Sequence, residues 1–302
     1  SLLVTLLLNS CQLGASHNNN SSAAGFVVAH PELLTASMAP PAKKKIKIAL
    51  LLDTSNSMDG LIDQARAQLW RIVNELALAK CENEKPDLEI ALYEYGNSGL
   101  SIQDGYIRQV AMFTHDMDLI SEKLFALRTN GGEEYCGSVI ASASKQLEWS
   151  DNQDDLQLIF IAGNESFNQG PVNGNEACQA TKRRGIMVNT IYCGGYDNGV
   201  SEGWKSGALF ANGNYMSIEQ DKKTVYIETP YDDQIGLLND KINSTYISYG
   251  SQGSKKLANQ RAQYKNAEGY SMSVAADRAK MKTSGAYKNA EWDLVDASKE
   301  RS

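Results

Sequence analysis

Short apolar runs alternate with helical stripes along the middle of this chain. Ile46-Lys47-Ile48-Ala49-Leu50-Leu51-Leu52 is nearly continuous in apolar residues and predicts a buried strand over about 45–53. Leu61, Ala65, Leu69, Ile72 and Leu76 follow at helical spacing and predict a helix over about 59–80. Leu88 to Tyr95 reads as a second strand, and the turn Gly96-Asn97-Ser98-Gly99 leads to an antiparallel partner near Tyr106–Thr114. Helices are predicted over 115–128 and 135–149, separated by the glycine-rich loop Thr129-Asn130-Gly131-Gly132-Glu133-Glu134. Leu156 to Ala162 and Ile186 to Tyr192 are further strands, with a helix over about 174–184 between them. A helix around Trp204–Phe210, a short edge strand at Gly213–Ile218 and an amphipathic helix over 232–249 complete the series. Such alternation implies an α/β fold: a Rossmann-like three-layer sandwich, mostly parallel in its central sheet with one antiparallel edge strand.

The first strand runs directly into Asp53-Thr54-Ser55-Asn56-Ser57-Met58. One carboxylate and two hydroxyls at alternate positions place three oxygens on one side of a tight loop. Oxygen donors suit a hard divalent cation: Mg²⁺ first, Mn²⁺ or Ca²⁺ next. The location fits as well, because open α/β sheets bind ligands beyond the carboxyl ends of their strands. A purely structural role for the same residues is a turn whose polar side chains satisfy the backbone.

Asp-x-Ser-x-Ser at Asp53, Ser55 and Ser57 resembles the metal-ion-dependent adhesion site of von Willebrand factor type A domains. The α/β order over 45–250 and the late Gly213-Asn214-Tyr215-Met216-Ser217-Ile218 segment resemble that family too. With Gly131-Gly132-Glu133-Glu134-Tyr135-Cys136-Gly137 and Ala162-Gly163-Asn164-Glu165-Ser166-Phe167, the chain looks like an exported bacterial subgroup carrying this domain. The resemblance implies two more ligands, a Thr and an Asp, from later loops. The Thr is expected within 129–137, where Thr129 precedes the glycines and Glu133 and Glu134 follow them. Glu134 is the better placed, at the helix start, where complementing the helix dipole is the alternative role. No Asp ends the strand at 156–162. Asn164 or Glu165 stands in its place, and either can ligate directly or through water. The expected metal set is therefore Asp53, Ser55, Ser57, Glu134, Asn164 and Glu165. A carboxylate in place of the Thr favours a metal retained by the chain over one shared with a partner's carboxylate.

Composition places these segments in context. Of the 302 residues 42% are hydrophobic and 22% charged, ordinary for a globular protein. A net charge of −7 argues against nucleic acid as a partner. Leu2 to Leu8 is apolar but too short to span a bilayer, and reads as the remnant of a signal peptide over 1–10. Leu8-Asn9-Ser10-Cys11 has the form of a bacterial lipobox, although Asn9 is unusual in it. Neither an initiating Met nor a basic stretch precedes it, as expected of a chain that begins inside its precursor. The expectation is lipidation at Cys11 and attachment to the bacterial cell envelope, at the outer membrane facing the periplasm. Residues 11–44 would be the tether, rich in Asn, Ser, Ala and Gly at its start. Export permits disulfides among Cys81, Cys136, Cys178 and Cys193. One bond among the last three, or two bonds using all four, are the alternatives. Residues 251–302 form a polar C-terminal helical extension with ten Lys or Arg against six Asp or Glu. Its hydrophobic knot at 291–297 either docks on the main domain or serves a partner.

Catalytic motifs are scarce. Ser142-Ala143-Ser144-Lys145 falls within a predicted helix without companions, and His17, His30 and His115 are too scattered for a histidine site. No Ser-His-Asp set or P-loop is present. The expected function is a non-enzymatic, metal-dependent module that binds a protein of the envelope. The alternative is a structural subunit whose metal only stabilises it and whose C-terminal extension makes the contact.

Overall fold

The computed structural model describes residues 44–78, 86–218, 231–270 and 272–300. Cys11, the tether and Cys81 lie outside the described residues. Strands β1 (Lys45–Asp53), β2 (Asp87–Tyr95), β3 (Ile107–Thr114), β4 (Leu156–Gly163), β5 (Met187–Tyr192) and β6 (Tyr215–Ser217) form one sheet. Its order is β3-β2-β1-β4-β5-β6. Every pairing is parallel except β2 with β3, so the antiparallel strand lies at the edge, as expected. The chain moves outward from β1 to β2 and β3, then crosses back to β4 on the other side. That reversal leaves a crevice at the carboxyl ends of β1 and β4, the usual ligand position in such sheets.

The helices are α1 (Ile62–Leu78), α2 (Met117–Ala126), α3 (Cys136–Gln146), α4 (Gly174–Lys182), α5 (Tyr196–Ser201), α6 (Trp204–Phe210), α7 (Asp232–Thr245), α8 (Gly253–Tyr270), α9 (Met272–Met281) and α10 (Leu294–Glu300). Side chains alternate across β1, and both faces are buried. Ile46, Ile48, Leu50 and Leu52 join the core formed with α1 and α2. Ala49 and Leu51 join the one formed with α3, α4 and α6. This two-sided burial explains why β1 reads as an unbroken apolar run rather than an alternating one. Asp53 follows the parity of Ala49 and Leu51, which sets it on the α3 side of the sheet.

Several boundaries differ from the sequence reading. A short 3-10 turn over Asn56–Met58 precedes α1, which starts at Ile62 rather than near Asp59. The turn consumes the residues between the site loop and the helix. Helix α3 stops at Gln146, where the indole nitrogen of Trp149 donates to the Ala143 carbonyl at 3.0 Å instead of continuing the helix. The disulfide expectation is corrected for the described cysteines: Cys136, Cys178 and Cys193 are all free and buried. Cys136 and Cys178 lie in one core and Cys193 in the other, so the sheet separates Cys193 from the other two.

The C-terminal helices carry more apolar packing than their composition suggests. Tyr264, Ala267, Val274, Ala275, Met281 and Ala286 belong to the core beneath α1 and α2. Arg278, 2% exposed, pairs with buried Asp118 of α2, and its guanidinium lies 5.9 Å from the centre of the Trp70 ring. Tyr287 donates to the other oxygen of Asp118 at 2.7 Å. Lys288 reaches Asp87 at 2.6 Å. The knot at 291–297 sits against residues 246–249: Ile247 donates to Asp293 at 2.7 Å, and the Trp292 and Tyr246 rings lie 5.6 Å apart. Removing one partner of a buried ion pair strands the other charge. Arg278→Ala is therefore expected to cost about 3–5 kcal/mol. Exposed Arg261→Ala on α8 is expected to change stability by less than about 0.5 kcal/mol. Urea denaturation of both variants checks this; equal midpoints would contradict it.

Candidate functional site

Three loops meet over the carboxyl end of β1. The Thr54 amide donates to the Tyr95 carbonyl at 2.9 Å, and the Asn130 amide to the Thr54 carbonyl at 2.9 Å. These bonds fasten the loops after β1 and β2 and the loop before α3 into one platform. Gly96 occupies its centre with φ of 78°, where an L side chain is strained. A Cβ there would stand 2.7 Å from Asp53 Oδ1 and 3.0 Å from Glu134 Cγ. The missing side chain lets the two carboxylates approach across the glycine.

Asp53 is fully buried. Its Oδ1 accepts from the Ser55 amide at 2.8 Å, a turn of the local backbone. Its Oδ2 has no hydrogen-bond partner. Ser55 is also buried, and its hydroxyl lies 2.8 Å from that of Ser57. Ser57 in turn donates to Asn164 Oδ1 at 2.9 Å, and Asn164 returns its amide to the Ser57 carbonyl at 3.0 Å. Glu134, 7% exposed, accepts from the Gln169 amide at 3.2 Å. Ser55 also favours the charged forms of both Asp53 and Glu134. Because the Ser57 hydroxyl donates to Asn164, that of Ser55 donates to Ser57, and Asp53 Oδ2 is left without a donor.

Electrostatics follow from this crowding. Burial, opposed by Ser55 and aided by nearby Glu134 and Glu165, pushes the Asp53 carboxyl from its ordinary 3.8 up to about 7. Burial also raises Glu134; Ser55 and Gln169 oppose that rise and Glu165 adds to it. The donor set fits a hard divalent cation: all oxygen, two carboxylates, and one buried oxygen without a hydrogen-bond partner.

The expected site residues are thus largely brought together. Asp53, Ser55, Ser57 and Asn164 are linked by hydrogen bonds, Glu134 faces Asp53 across Gly96, and Glu165 acts on Asp53 and Glu134 by charge while its carbonyl accepts from the Trp204 indole at 2.7 Å. Thr129 is directed elsewhere, donating to Asp59, and Glu133 is exposed. Sequence reasoning missed Gln169, Gly96 and Tyr95. The Tyr95 hydroxyl donates to the Ala162 carbonyl at 3.0 Å beneath Asp53. Tyr95 was already expected in a strand, but nothing in the sequence marks Gln169 as a neighbour of Glu134.

A second group with ligand-like spacing comprises Asp87, Glu89 and His115, whose donor atoms lie within 4.8 Å of one another. Asp87 pairs in register with Lys45, so this group stands at the amino ends of the strands, opposite Asp53. Its carboxylates are already engaged: Lys288 meets Asp87 at 2.6 Å, and Lys47 meets Glu89 at 3.2 Å.

Neither a protein-family model nor any curated protein matches the chain. Solved structures do. Proximal thread matrix protein 1 from the mussel byssus, with a zinc-occupied MIDAS motif, aligns over 60% of this chain and 43% of its own (TM-score 0.44, 10% identity). BatB from Bacteroides thetaiotaomicron aligns over 66% of this chain and 98% of its own (TM-score 0.41, 15% identity). The SpRpn10 VWA domain aligns over 67% and 95% (TM-score 0.43, 15% identity). The chain spans less than half the length of the mussel protein, and these likenesses concern the fold alone. The strand order and the Asp53 loop of this chain carry the fold assignment. The fold is a Rossmann-like α/β sandwich whose strand order and Asp53 loop resemble those of von Willebrand factor type A domains.

The buried Asp53 sets a pH dependence. Its folded pKa lies above the unfolded one, so its contribution to stability is intact below about pH 4 and is lost as pH rises towards 7. The loss amounts to about 4 kcal/mol at most. Metal-free protein is expected to be less stable at neutral pH than near pH 5, and Asp53→Asn is expected to reduce that difference. Denaturant unfolding in chelator at both pH values checks this; an identical pH dependence in Asp53→Asn would contradict it.

Proposed function

We propose that this chain is a cation-dependent protein-binding module whose recognition surface is the loop platform above β1. Support comes foremost from one observation: Asp53 is fully buried, yet one of its oxygens has no partner. A buried unpaired carboxylate is costly in a folded protein unless a proton or a cation neutralises it, and a cation would do so at neutral pH. Asp53, Ser55, Ser57 and Glu134 would hold a divalent cation, with Asn164 or Glu165 completing the set. Mg²⁺ suits a compact, oxygen-only set; Mn²⁺ and Ca²⁺ are the alternatives. The cation would neutralise the carboxylates and draw the three loops together.

A binding role fits these groups better than a catalytic one. His115, the one histidine among the described residues, sits at the opposite end of the sheet beside Asp87. No helix among the described residues is long and apolar enough to cross a membrane. Attachment to the envelope would instead come from the lipobox at Cys11, with an envelope protein as partner. Fractionation of Cys11→Ala tests this: release from membranes supports the tether, and unchanged retention rejects it. The C-terminal segment of the alternative reading also serves packing, because Tyr264, Ala267, Val274, Ala275, Met281 and Ala286 lie in the core. Deleting that segment would therefore disturb folding as well as binding.

A cation that binds only the folded state adds about 2.7 kcal/mol at a hundredfold excess over its dissociation constant. For a domain of this size that is a rise of about 5–10 °C in melting temperature. Mg²⁺ or Mn²⁺ is expected to produce such a shift in the parent, a smaller one in Ser55→Ala, and none in Asp53→Ala. Calorimetry across metal and chelator decides it, and a parent indifferent to every cation would remove the proposal.

A further inference from the structure

We infer that Glu134 supplies, from within the chain, the anionic oxygen that a docking partner would otherwise bring to the cation, so that the site is closed to external carboxylates. The inference rests on the cation reading above and specifies the partner chemistry it allows. It starts from where Glu134 lies. The residue stands two positions before α3 on the loop, yet its side chain is buried rather than turned to water. Its Cγ and Asp53 Oδ1 both come within 3.0 Å of the Cβ that Gly96 lacks, so the two carboxylates share one cradle. The Gln169 amide donates to Glu134 at 3.2 Å and holds it in that cradle. Independently, Asp53 Oδ2 is buried without a partner, and a Cβ on Gly163 would lie 3.1 Å from it.

Charge then decides what else the site accepts. Asp53, Glu134 and Glu165 together bring more negative charge than one divalent cation neutralises. Arg108, opposite the end of β2, pairs with Glu94 at 2.5 Å, and no basic side chain is among the groups that shift Asp53 or Glu134. Exposed Glu133, next to Glu134 on the loop, adds negative charge. A further carboxylate would meet like charge in a partly desolvated place, which disfavours it. Partner groups that meet this site are therefore neutral or cationic, and the cation acts by ordering the loops rather than by bridging to an acidic side chain.

The test is Mn²⁺ binding to the full chain, followed by electron paramagnetic resonance of the free ion, with and without excess acetate as the carboxylate probe. The parent is expected to bind Mn²⁺ with an affinity that acetate does not raise. Glu134→Gln is expected to weaken binding by about tenfold or more, the scale of losing one supporting carboxylate at a metal site. Glu134→Thr is expected to weaken it similarly and to regain part of the loss when acetate is added. Acetate tightening Mn²⁺ on the parent would overturn the inference, and this arm needs no variant. Unchanged affinity in Glu134→Gln would overturn it too, while leaving the cation at Asp53 in place. A parent that binds no Mn²⁺ would overturn both this inference and the cation reading.

Discussion

A carboxylate buried at the carboxyl end of the central strand, with one oxygen unmatched, is the constraint around which this structure is arranged. Asp53 sits where β1 leaves the sheet, and every nearby element adapts to it. Gly96 gives up a side chain to admit it, Ser55 turns its amide onto one oxygen, and Glu134 crowds the other side. A polar group in that position is costly without compensation. The crossover of the chain between β1 and β4 creates the crevice, and the carboxylate defines its chemistry.

The rest of the molecule holds that platform still. Strand β1 is buried on both faces, so a shift in its register would drag apolar residues out of two cores at once. On one face the C-terminal helices complete the packing against α1, fixed by Asp118 between Arg278 and Tyr287. A segment that composition marks as polar thus contributes to the rigidity of the strand that carries Asp53. Its lysine and arginine side chains do part of this by pairing with acids of the sheet and helices, such as Asp116, Asp118 and Asp87.

The sheet was legible because burial on both faces leaves long apolar runs, and the helices because their stripes recur at helical spacing. Asp53, Ser55 and Ser57 were legible because a strand runs into them without interruption. Glu134 could be ranked above Glu133 from its position at a helix start, yet its burial depends on Gly96, some forty residues earlier in the chain. Gln169 was hidden for the same reason: its contact with Glu134 arises only when the loop after β4 folds over the loop before α3. The cysteines misled because export permits disulfides, while the sheet places Cys193 in a different core from Cys136 and Cys178. The thin apolar face of 251–302 understated its packing, since small residues such as Ala267, Ala275 and Ala286 fill the space.

The most direct measurement is an anomalous difference map from crystals of the full chain grown with Mn²⁺. One peak is expected over the carboxyl end of β1, within bonding distance of Asp53, Ser55, Ser57 and Glu134, and it is expected to disappear in crystals of Asp53→Ala. A peak at Asp87, Glu89 and His115 instead, or a well-ordered Asp53 with no peak beside it, would contradict the account.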